Sequence, residues 1–426
     1  MAAPTGSEFA AWLGQQRWYG AKSASIASVT LADRIPELAL LDVALQAQPP
    51  ARYAVPEYGG SAGLADAAAR ERWFLLLAQG ARVPGTHGRF DFDALAPLEP
   101  APTSRLLGAE QSNTSILYTD AGGQPRWILK LIRRIHPGEN PDFEIPLALA
   151  RHTAFGNVPA AAARLRYRTW GGETATIAVM QSYIPNHGDG WEYFLSRLRS
   201  PENPQALLED LEWLGRRTAE LHCALASIRV DAGFTPEAIT PAGLERWRNR
   251  ALAGIAAAPP ADQALLAPWR ERLTRADAGL TGLLGCHKIR IHGDFHLGQT
   301  LKTDGDFYLF DFEGEPARPL AERRQKGTVL QDVAGMLRSL GYAAHTASRP
   351  EWEALARHAF LRGYRTAIVA APLPLAPQND AAFRQACAFF ECEKAVYELA
   401  YERNNRPDWA AIPLAALRRL LLADHQ

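Results

Sequence analysis

The chain has 426 residues, with 46 Lys and Arg balanced by 46 Asp and Glu and a hydrophobic fraction of 47%. This composition is typical of a folded protein, and the zero net charge provides no basic field for nucleic acid or an anionic membrane. No stretch reaches the ~20 apolar residues that span a bilayer, and the four cysteines lack the spacing of a disulfide scaffold. We therefore expect a cytoplasmic protein with reduced thiols and small-molecule partners.

The N-terminal region predicts a short helix followed by a small sheet. Helical spacing of Phe9, Trp12 and Leu13 predicts an amphipathic helix over 7–17. The next predicted elements are strands at 26–31, 38–44 and 52–55 and a helix at 62–77. The segment 90–102 is interrupted by prolines and shows little periodicity, so we place a domain boundary near residue 100.

A lysine lies at the centre of an apolar strand beyond this boundary. The sequence WILKLI at 127–132 predicts a strand in which Lys130 shares a face with Ile128 and Ile132. Because an unpaired buried ammonium is costly, Lys130 is expected to meet a carboxylate or a phosphate. A charge that protects a sheet edge from aggregation is the alternative interpretation.

A helix that begins near residue 140 supplies the candidate partner of this lysine. Asn140 and Pro141 show the pattern of an N-cap followed by proline at the first helical position. Glu144 then lies in the opening turns of a helix that ends near residue 151, and we expect it to pair with Lys130. Strands are also predicted within 105–120 and over 163–168 and 174–182.

From residue 191 onwards the pattern is mainly helical. Periodic Leu, Ala and Trp predict helices over 191–198, 206–228, 240–256, 261–284, 329–342, 352–370, 381–404 and 413–423. Two short apolar runs interrupt them, one just before Asp294 and one just before Asp311. A sheet-rich region followed by a larger helical region predicts an α+β protein with two lobes.

These two acids lie in the stretch at 292–315, HGDFHLGQTLKTDGDFYLFDFEGE, which carries the strongest chemical signal. Gln299 follows Asp294 by five residues and Asp311 follows it by seventeen, which imitates the kinase pattern HxDxxxxN and then DF. In that pattern Asp294 orients the acceptor hydroxyl, while Gln299 and Asp311 hold Mg²⁺ against the phosphates of ATP. Acids that only cap turns are the alternative.

Two further segments are candidates for contacts with the nucleotide. The polar turn GAEQSNTS at 108–115 occupies the position of a phosphate-covering loop, which makes Ser112, Asn113 and Thr114 candidate phosphate ligands. The strand end VMQSY occupies the position of a kinase hinge, where Gln181 and Tyr183 would meet adenine. An ordinary strand end fits the same residues nearly as well.

One face of the predicted C-terminal helix combines aromatic and charged side chains. Its members are Lys394, Tyr397, Glu398 and Tyr401. Tyrosine rings can lie against the apolar face of a sugar, and charged groups can bind its hydroxyls. This face predicts a sugar site, although a packed helix with solvated charges would show the same spacing.

Together these motifs resemble bacterial maltokinases, which are relatives of the aminoglycoside phosphotransferases in the eukaryotic-kinase-like superfamily. The motifs are RWYGAKS, EQSNTS, HGDFHLGQ, DFEGEPARPLAERRQK, DVAGMLRS and EKAVYELAYERNNRPDWAAIP. The resemblance implies an ATP- and Mg²⁺-dependent kinase that converts maltose to maltose 1-phosphate for the biosynthesis of glycogen-like α-glucans. It also implies a bilobal protein-kinase-like fold, with an N-terminal cap subdomain at 1–100, a β-rich nucleotide-binding lobe at 101–186 and a helical lobe at 187–426.

The resemblance also assigns roles to individual residues. Asp294 becomes the catalytic base, and Gln299 and Asp311 become the metal ligands. Lys130 and Glu144 form the pair at the phosphates. The implied sugar contacts are His296, Glu313, Tyr397, Glu398, Tyr401 and Arg406. We expect a monomer or a weak dimer.

Two departures from the maltokinase pattern leave the acceptor open. The entry motif, commonly RWFxGK in the family, contains Tyr19-Gly20-Ala21, and KGTVLQ at 326–331 replaces the SPLRD expected before VAGMLRS. Glucosamine kinases share the cap and the HGDxHxGQ core, so a kinase of glucosamine, another amino sugar or an aminoglycoside is the alternative. A non-catalytic nucleotide-binding regulatory protein is a more distant hypothesis, because the catalytic acids are intact.

Overall fold

The computed structural model describes residues 6–16, 18–19, 25–46, 48–56, 62–108, 113–199, 204–274, 279–316 and 318–422. The chain divides into two compact units. The first comprises residues 1–147 and 159–184, and the second comprises 148–158 and 185–426. The first unit is rich in strands and the second is mainly helical, as the sequence predicted.

The first unit is built on two antiparallel sheets. Its helices are α1 (Gly6–Gln15), α2 (Ala67–Gln79) and α3 (Pro141–His152), the last of which ends in the second unit. Its strands are β1 (Ile26–Ile35), β2 (Leu38–Leu45), β3 (Gln48–Val55), β4 (Arg82–Pro84), β5 (Gly88–Ala94), β6 (Thr103–Leu107), β7 (Thr114–Thr119), β8 (Pro125–Leu131), β9 (Arg134–Ile135), β10 (Ala161–Thr169) and β11 (Thr174–Ser182).

Strand order explains the position of the lysine. The smaller sheet has the order β1-β2-β3-β9, and the larger one has the order β4-β5-β10-β11-β8-β7-β6. Lys130 on β8 pairs with Val179 of β11 on one side and with Ser115 of β7 on the other. Because β8 is paired on both sides, Lys130 does not guard a sheet edge, and that interpretation is wrong.

The segment before residue 100 contains a strand that the sequence pattern did not reveal. β5 pairs with β10 along its whole length, from Ala94 opposite Ala163 to Gly88 opposite Thr169. Phe90 and Phe92 are fully buried in the core of the first unit. The prolines that follow β5 within the segment 90–102 hid the alternation of Phe90 and Phe92. The larger sheet therefore includes strands from both sides of residue 100, and the cap subdomain at 1–100 stays a prediction.

The described part of the second unit contains the remaining helices and two pairs of short strands. Its helices are α4 (Gly190–Arg199), α5 (Pro204–Ser227), α6 (Pro241–Ala257), α7 (Gln263–Thr274), α8 (Leu320–Arg323), α9 (Leu330–Thr346), α10 (Pro350–Ile368), α11 (Asp380–Asn405) and α12 (Ala411–Leu422). Its strands are β12 (Glu237–Ala238), β13 (His287–Lys288), β14 (Thr300–Lys302) and β15 (Phe307–Leu309), with β12 paired to β13 and β14 paired to β15. The helix predicted over 261–284 is shorter: α7 ends at Thr274, and Thr281–Leu283 form a separate 3₁₀ turn.

Close helix packing and one buried charge hold this unit together. A Cβ atom on Gly363 of α10 would lie 1.8 Å from the Glu212 carbonyl oxygen of α5, so only glycine fits there. The buried carboxylate of Glu391 on α11 accepts two hydrogen bonds of 2.7 Å from the guanidinium of Arg357 on α10.

Among the described residues, no helix combines the length and apolar character needed to cross a membrane.

A buried carboxylate connects the two sheets of the first unit. Asp33 on β1 is 2% exposed and accepts hydrogen bonds from the backbone N–H groups of Thr86 (2.7 Å) and His87 (3.0 Å). It also accepts one from the hydroxyl of Tyr167 on β10 (2.8 Å). Burial opposes ionisation, but these hydrogen bonds lower the pKa of Asp33 below its ordinary value.

We predict that Asp33→Ala lowers the free energy of unfolding by about 3 kcal/mol, because it leaves buried donors without an acceptor. Urea unfolding followed by fluorescence measures this. Asp42→Ala is the control, since Asp42 is 42% exposed in its ion pair with Arg52 and should cost less than about 1 kcal/mol. Since the pKa of Asp33 is lowered, its contribution should be complete at neutral pH and vanish as the pH falls through that lowered value. Equal costs for both variants would contradict the prediction.

Candidate active site

In the first unit, β8 and α3 bring a lysine and a carboxylate together. Lys130 Nζ lies 3.3 Å from Oδ2 of Asp142, which is 2% exposed. The side chain of Asn140 accepts a hydrogen bond from the N–H of Asp142 (2.8 Å), as expected of an N-cap. Glu144 is the partner of Lys130 that we predicted from the sequence, and the structure adds Asp142 from the same opening turn of α3. Helical periodicity alone could not choose between them.

Arg133 holds Asn113 and Thr114, two residues at the end of the predicted phosphate loop. Its Nε donates to the hydroxyl of Thr114 (2.9 Å), and its backbone N–H donates to the side-chain oxygen of Asn113 (3.3 Å). The guanidinium lies 4.7 Å from the centre of the Trp18 ring, and the Arg133 carbonyl accepts from the N–H of Ala54 (2.9 Å). The N-terminal strands are thus connected to the end of this loop.

The remaining residues predicted to contact the nucleotide are Ser112, Gln181 and Tyr183. Ser112 lies outside the described residues. The side-chain amide of Gln181 donates to the backbone carbonyl of Asp142 (2.8 Å). The N–H of Tyr183 donates to the carbonyl of Arg126 (2.8 Å), so this N–H is already used within the first unit.

In the second unit, a buried carboxylate holds the loop that carries Asp294. Asp332 on α9 accepts hydrogen bonds from the N–H groups of His292 (2.8 Å) and Gly293 (2.9 Å). Its Oδ2 also lies 3.1 Å from Nε2 of His222. Burial opposes ionisation, but the hydrogen bond and charge of His222 and the N–H donors lower the pKa of Asp332. The backbone immediately before Asp294 is therefore fixed.

His292 connects this loop to the segment that carries the second acid. Its Nε2 lies 2.9 Å from the carbonyl oxygen of Phe310, and its ring packs against those of Phe295 and Phe312. At 1% exposure, His292 is a buried residue that stabilises this loop.

Gln299 and Asp311 are adjacent, as their motif predicted. The amide nitrogen of Gln299 donates to Oδ2 of Asp311 (2.9 Å), and the N–H of Phe310 donates to the backbone carbonyl of Gln299 (3.1 Å). Asp311 has a φ of 64°, an uncommon backbone conformation for a residue other than glycine. Because Mg²⁺ prefers oxygen ligands, the Gln299 amide oxygen and the Asp311 carboxylate fit this ion.

A cavity of about 580 Å³ opens beside Asp294 within the second unit. Its wall is formed by the loop that carries Asp294, the segment 314–327, and residues of α6 and α11. The lining side chains that bear on its chemistry are Trp247, Arg250, Asp294, Glu315, Arg318, Glu322, Glu393, Lys394 and Tyr397. A cavity of this size, with an aromatic ring and several charges, suits a polar small molecule.

Most of the charges in this wall are paired with one another. Lys394 Nζ lies 3.2 Å from Oδ1 of Asp294 and 2.6 Å from Oε1 of Glu315. Glu315 also pairs with Arg318. Burial would lower the pKa of Lys394, but the carboxylates of Asp294 and Glu315 raise it above its ordinary value. Burial opposes ionisation of Glu315, yet Lys394 and Arg318 lower its pKa to about 2.

Of the four predicted sugar contacts on or after α11, the lining includes Tyr397. Tyr401 stacks on Tyr397 with ring centres 6.5 Å apart and is 47% exposed, but it is not part of the wall. Glu398 points elsewhere and accepts from Nε of Arg338 on α9 (2.8 Å). Consecutive residues of a helix project about 100° apart, which separates Glu398 from Tyr397.

Three other predicted contacts also lie away from the cavity wall. Arg406 pairs with Glu402 on its own helix (2.7 Å). His296 has a pKa lowered by burial, and the carbonyl of Glu313 accepts from Nη1 of Arg323 (3.1 Å). The described lining contains none of Arg406, His296 and Glu313.

Residues of α6 and Glu315 line the cavity, although we did not predict them as site residues from the sequence. Trp247 lines the cavity and packs edge-on against Phe390 of α11, while Arg250 Nη2 lies 2.8 Å from Oε2 of Glu393. Glu315 lies inside the quoted FEGEP motif, so that motif could have indicated it. No local signal distinguishes α6, because its role depends on tertiary packing.

Comparisons with known proteins place this chain in a family. The model of the phosphotransferase enzyme family, APH, matches residues 103–377. A glucosamine kinase of Streptacidiphilus jiangxiensis is 28% identical over 358 residues, which cover 78% of this chain and 76% of that protein. A glucosamine kinase of Mycolicibacterium smegmatis (strain ATCC 700084 / mc(2)155) is 26% identical over 364 residues, which cover 79% and 85%.

Solved structures give the same fold. A glucosamine kinase in complex with glucosamine, ADP and inorganic phosphate is 23% identical, with a TM-score of 0.66, over 98% of this chain and all of that chain (100%). A second crystal form of a glucosamine kinase has a TM-score of 0.68 at 23% identity, with coverage of 98% and 100%. These likenesses confirm the protein-kinase-like α+β fold, and the aminoglycoside phosphotransferase resemblance is confirmed by the family match. The chain belongs to the phosphotransferase enzyme family and is an ATP-dependent, Mg²⁺-using phosphotransferase.

Proposed function

We propose that this enzyme is a sugar kinase that transfers the γ-phosphoryl group of ATP to a hydroxyl of a sugar bound beside Asp294. The observation that carries the proposal is the 580 Å³ cavity with the Asp294 carboxylate in its wall, a volume within the roughly 300–1,000 Å³ of small-ligand sites. Asp294 orients the acceptor hydroxyl, and Gln299 with Asp311 holds Mg²⁺. The ion, when bound, neutralises charge on the phosphates.

The donor side uses residues of the first unit. Lys130, kept in place by Asp142, binds the phosphates, with Glu144 in the same helical turn. The other residues proposed for the nucleotide are Ser112, Asn113 and Thr114 at the phosphates and Gln181 and Tyr183 at adenine. Lys130 is suited to this role because its ammonium, a compact charge on a long side chain, is held 3.3 Å from the buried carboxylate of Asp142.

Glucosamine is the first acceptor that we propose. The two relatives described above are glucosamine kinases, matched over most of their length. An amino sugar needs a carboxylate beside its ammonium group. Among the lining acids that the structure describes, Glu322 is the exposed one, and we propose it as the carboxylate that meets that ammonium.

Maltose is the second candidate, and the charge pairing in the cavity favours it. Asp294 and Glu315 share the ammonium of Lys394, Glu315 also pairs with Arg318, and Glu393 pairs with Arg250. A wall of compensated charges with the exposed ring of Tyr397 suits a neutral sugar. The maltokinase motifs of the sequence point the same way.

An acceptor panel tests this proposal. Glucosamine, maltose, glucose, trehalose and an aminoglycoside are incubated with Mg-ATP, and product position is read by NMR. We expect the highest kcat/KM for glucosamine, and we expect Glu322→Gln to raise its KM roughly tenfold while KM for glucose changes little, because a charge-assisted contact is lost. Preferential formation of maltose 1-phosphate would select the second candidate. Sugar-independent ATP binding without turnover would support a regulatory protein.

The role of Asp294 is tested by substitution. Asp294→Asn removes the acceptor of the hydroxyl proton, so kcat should fall by about 10²–10⁴, while the Kd of ATP stays close to that of the wild type. Asp304→Asn is the control, because the Asp304 side chain is 97% exposed and pairs with His187. Full activity of Asp294→Asn would remove Asp294 from its proposed role.

Arg133 allows a test of the phosphate loop. Arg133→Ala removes the donor that fixes Thr114 and should raise the KM for ATP about fivefold, with a smaller change in kcat, since one anchoring hydrogen bond of about 1 kcal/mol is lost. Arg134→Ala, at the exposed neighbouring position, is the matched control. An unchanged KM for ATP in Arg133→Ala would show that this anchor does not affect nucleotide binding.

A further inference from the structure

We propose that Lys394 is a positioning residue that fixes the carboxylate of Asp294, and that Glu315 and Arg318 fix Lys394 in turn. This inference rests on the proposed role of Asp294 and does not depend on which sugar is the acceptor. It adds a residue of α11, a helix expected to contribute only sugar contacts, to the geometry of the reaction.

The contact of Lys394 with Asp294 involves one oxygen of the carboxylate. Lys394 Nζ lies 3.2 Å from Oδ1, and no other side chain among the described residues donates a hydrogen bond to Asp294. Oδ2 is therefore the oxygen available to the acceptor hydroxyl. With Oδ1 engaged, the carboxylate loses the freedom to rotate about its last bond, and Oδ2 has a defined direction.

Lys394 itself is held at a second point. Its ammonium lies 2.6 Å from Oε1 of Glu315, whose side chain is 9% exposed and which also pairs with Arg318. A lysine side chain has roughly 2 kcal/mol of rotamer entropy to lose, so a single partner would leave it mobile. Two carboxylates bound to one ammonium restrict the Lys394 side chain. The ion pair with Arg318 keeps Glu315 in place, so that Glu315 can hold Lys394.

This restriction matters for the reaction because phosphoryl transfer depends mainly on positioning. The transition state is loose, so a hydroxyl in line with the phosphorus is more important than strong proton abstraction. A misplacement of about 1 Å can cost about 10²-fold in rate. Lys394 also compensates the charge of Asp294 in the cavity without occupying Oδ2.

The test compares Lys394→Met, Lys394→Arg and a matched control. Methionine keeps much of the apolar stem but removes the ammonium, and arginine restores a cation. Lys288→Met is the control, because Lys288 pairs with Glu237 at 2.6 Å and its side chain is 24% exposed, as is that of Lys394, yet it does not line the cavity. Steady-state kinetics with ATP and the preferred sugar, the Kd of ATP and the Tm are measured for each.

We expect Lys394→Met to lower kcat about 100-fold with little change in the Kd of ATP or the KM of the sugar. Its Tm should stay within about 3 °C of the wild type. Lys394→Arg should recover at least about tenfold of the lost kcat, and Lys288→Met should behave as the wild type. In the Asp294→Asn background, Lys394→Met should cause little further loss, because the two residues act as one unit.

Three results would overturn the inference. A kcat of Lys394→Met within about twofold of the wild type would remove the role, and a raised sugar KM at unchanged kcat would make Lys394 a substrate ligand instead. A further independent loss of kcat in the Asp294→Asn background would separate the two residues. If the wild type phosphorylates no sugar, the proposed function fails and this inference fails with it, whereas wild-type turnover with active Lys394→Met refutes the inference alone.

Discussion

The buried carboxylate of Asp332 is the constraint on which the catalytic loop depends. A charge in the interior is tolerated only when enough donors surround it, and Asp332 has the N–H groups of His292 and Gly293 together with the imidazole of His222. These N–H groups immediately precede Asp294. The ring of His292 reaches onward to the carbonyl of Phe310, next to Asp311. One interior charge on α9 thereby sets the position of both acids.

The acceptor cavity uses charge in a different way. Its acids and bases are largely paired with one another, with Lys394 between Asp294 and Glu315 and with Arg250 against Glu393. Paired charges keep strong hydrogen-bonding groups at fixed positions without a large net field. Such a wall can discriminate among polyhydroxyl compounds by geometry, since each group already has a preferred direction.

The sequence was informative where chemistry is confined to one short segment. Asp294, Gln299 and Asp311 could be predicted together because a single loop and hairpin fix their separation. Strand β11 has the predicted bounds, since its alternation and length are local properties. Asp142 was missed because the phase of a helix cannot be read to one residue, and the pairing of Glu398 with Arg338 depends on the packing of α11 on α9. Arg250 carries no local signal at all, because its meeting with Glu393 is decided by the packing of α6 on α11.

Helix α11 lies outside the part of the chain that matches the family model. The family match ends at residue 377, before α11 begins at Asp380, so it includes Asp294 and Asp311 but neither Lys394 nor Tyr397. The helix is anchored by Glu391, whose two hydrogen bonds to Arg357 lie away from the cavity wall. Residues that face the acceptor can therefore change while the anchor keeps the helix in register. In the proposed function, phosphoryl transfer depends on residues within the family match, and substrate preference depends on α11, which lies outside it.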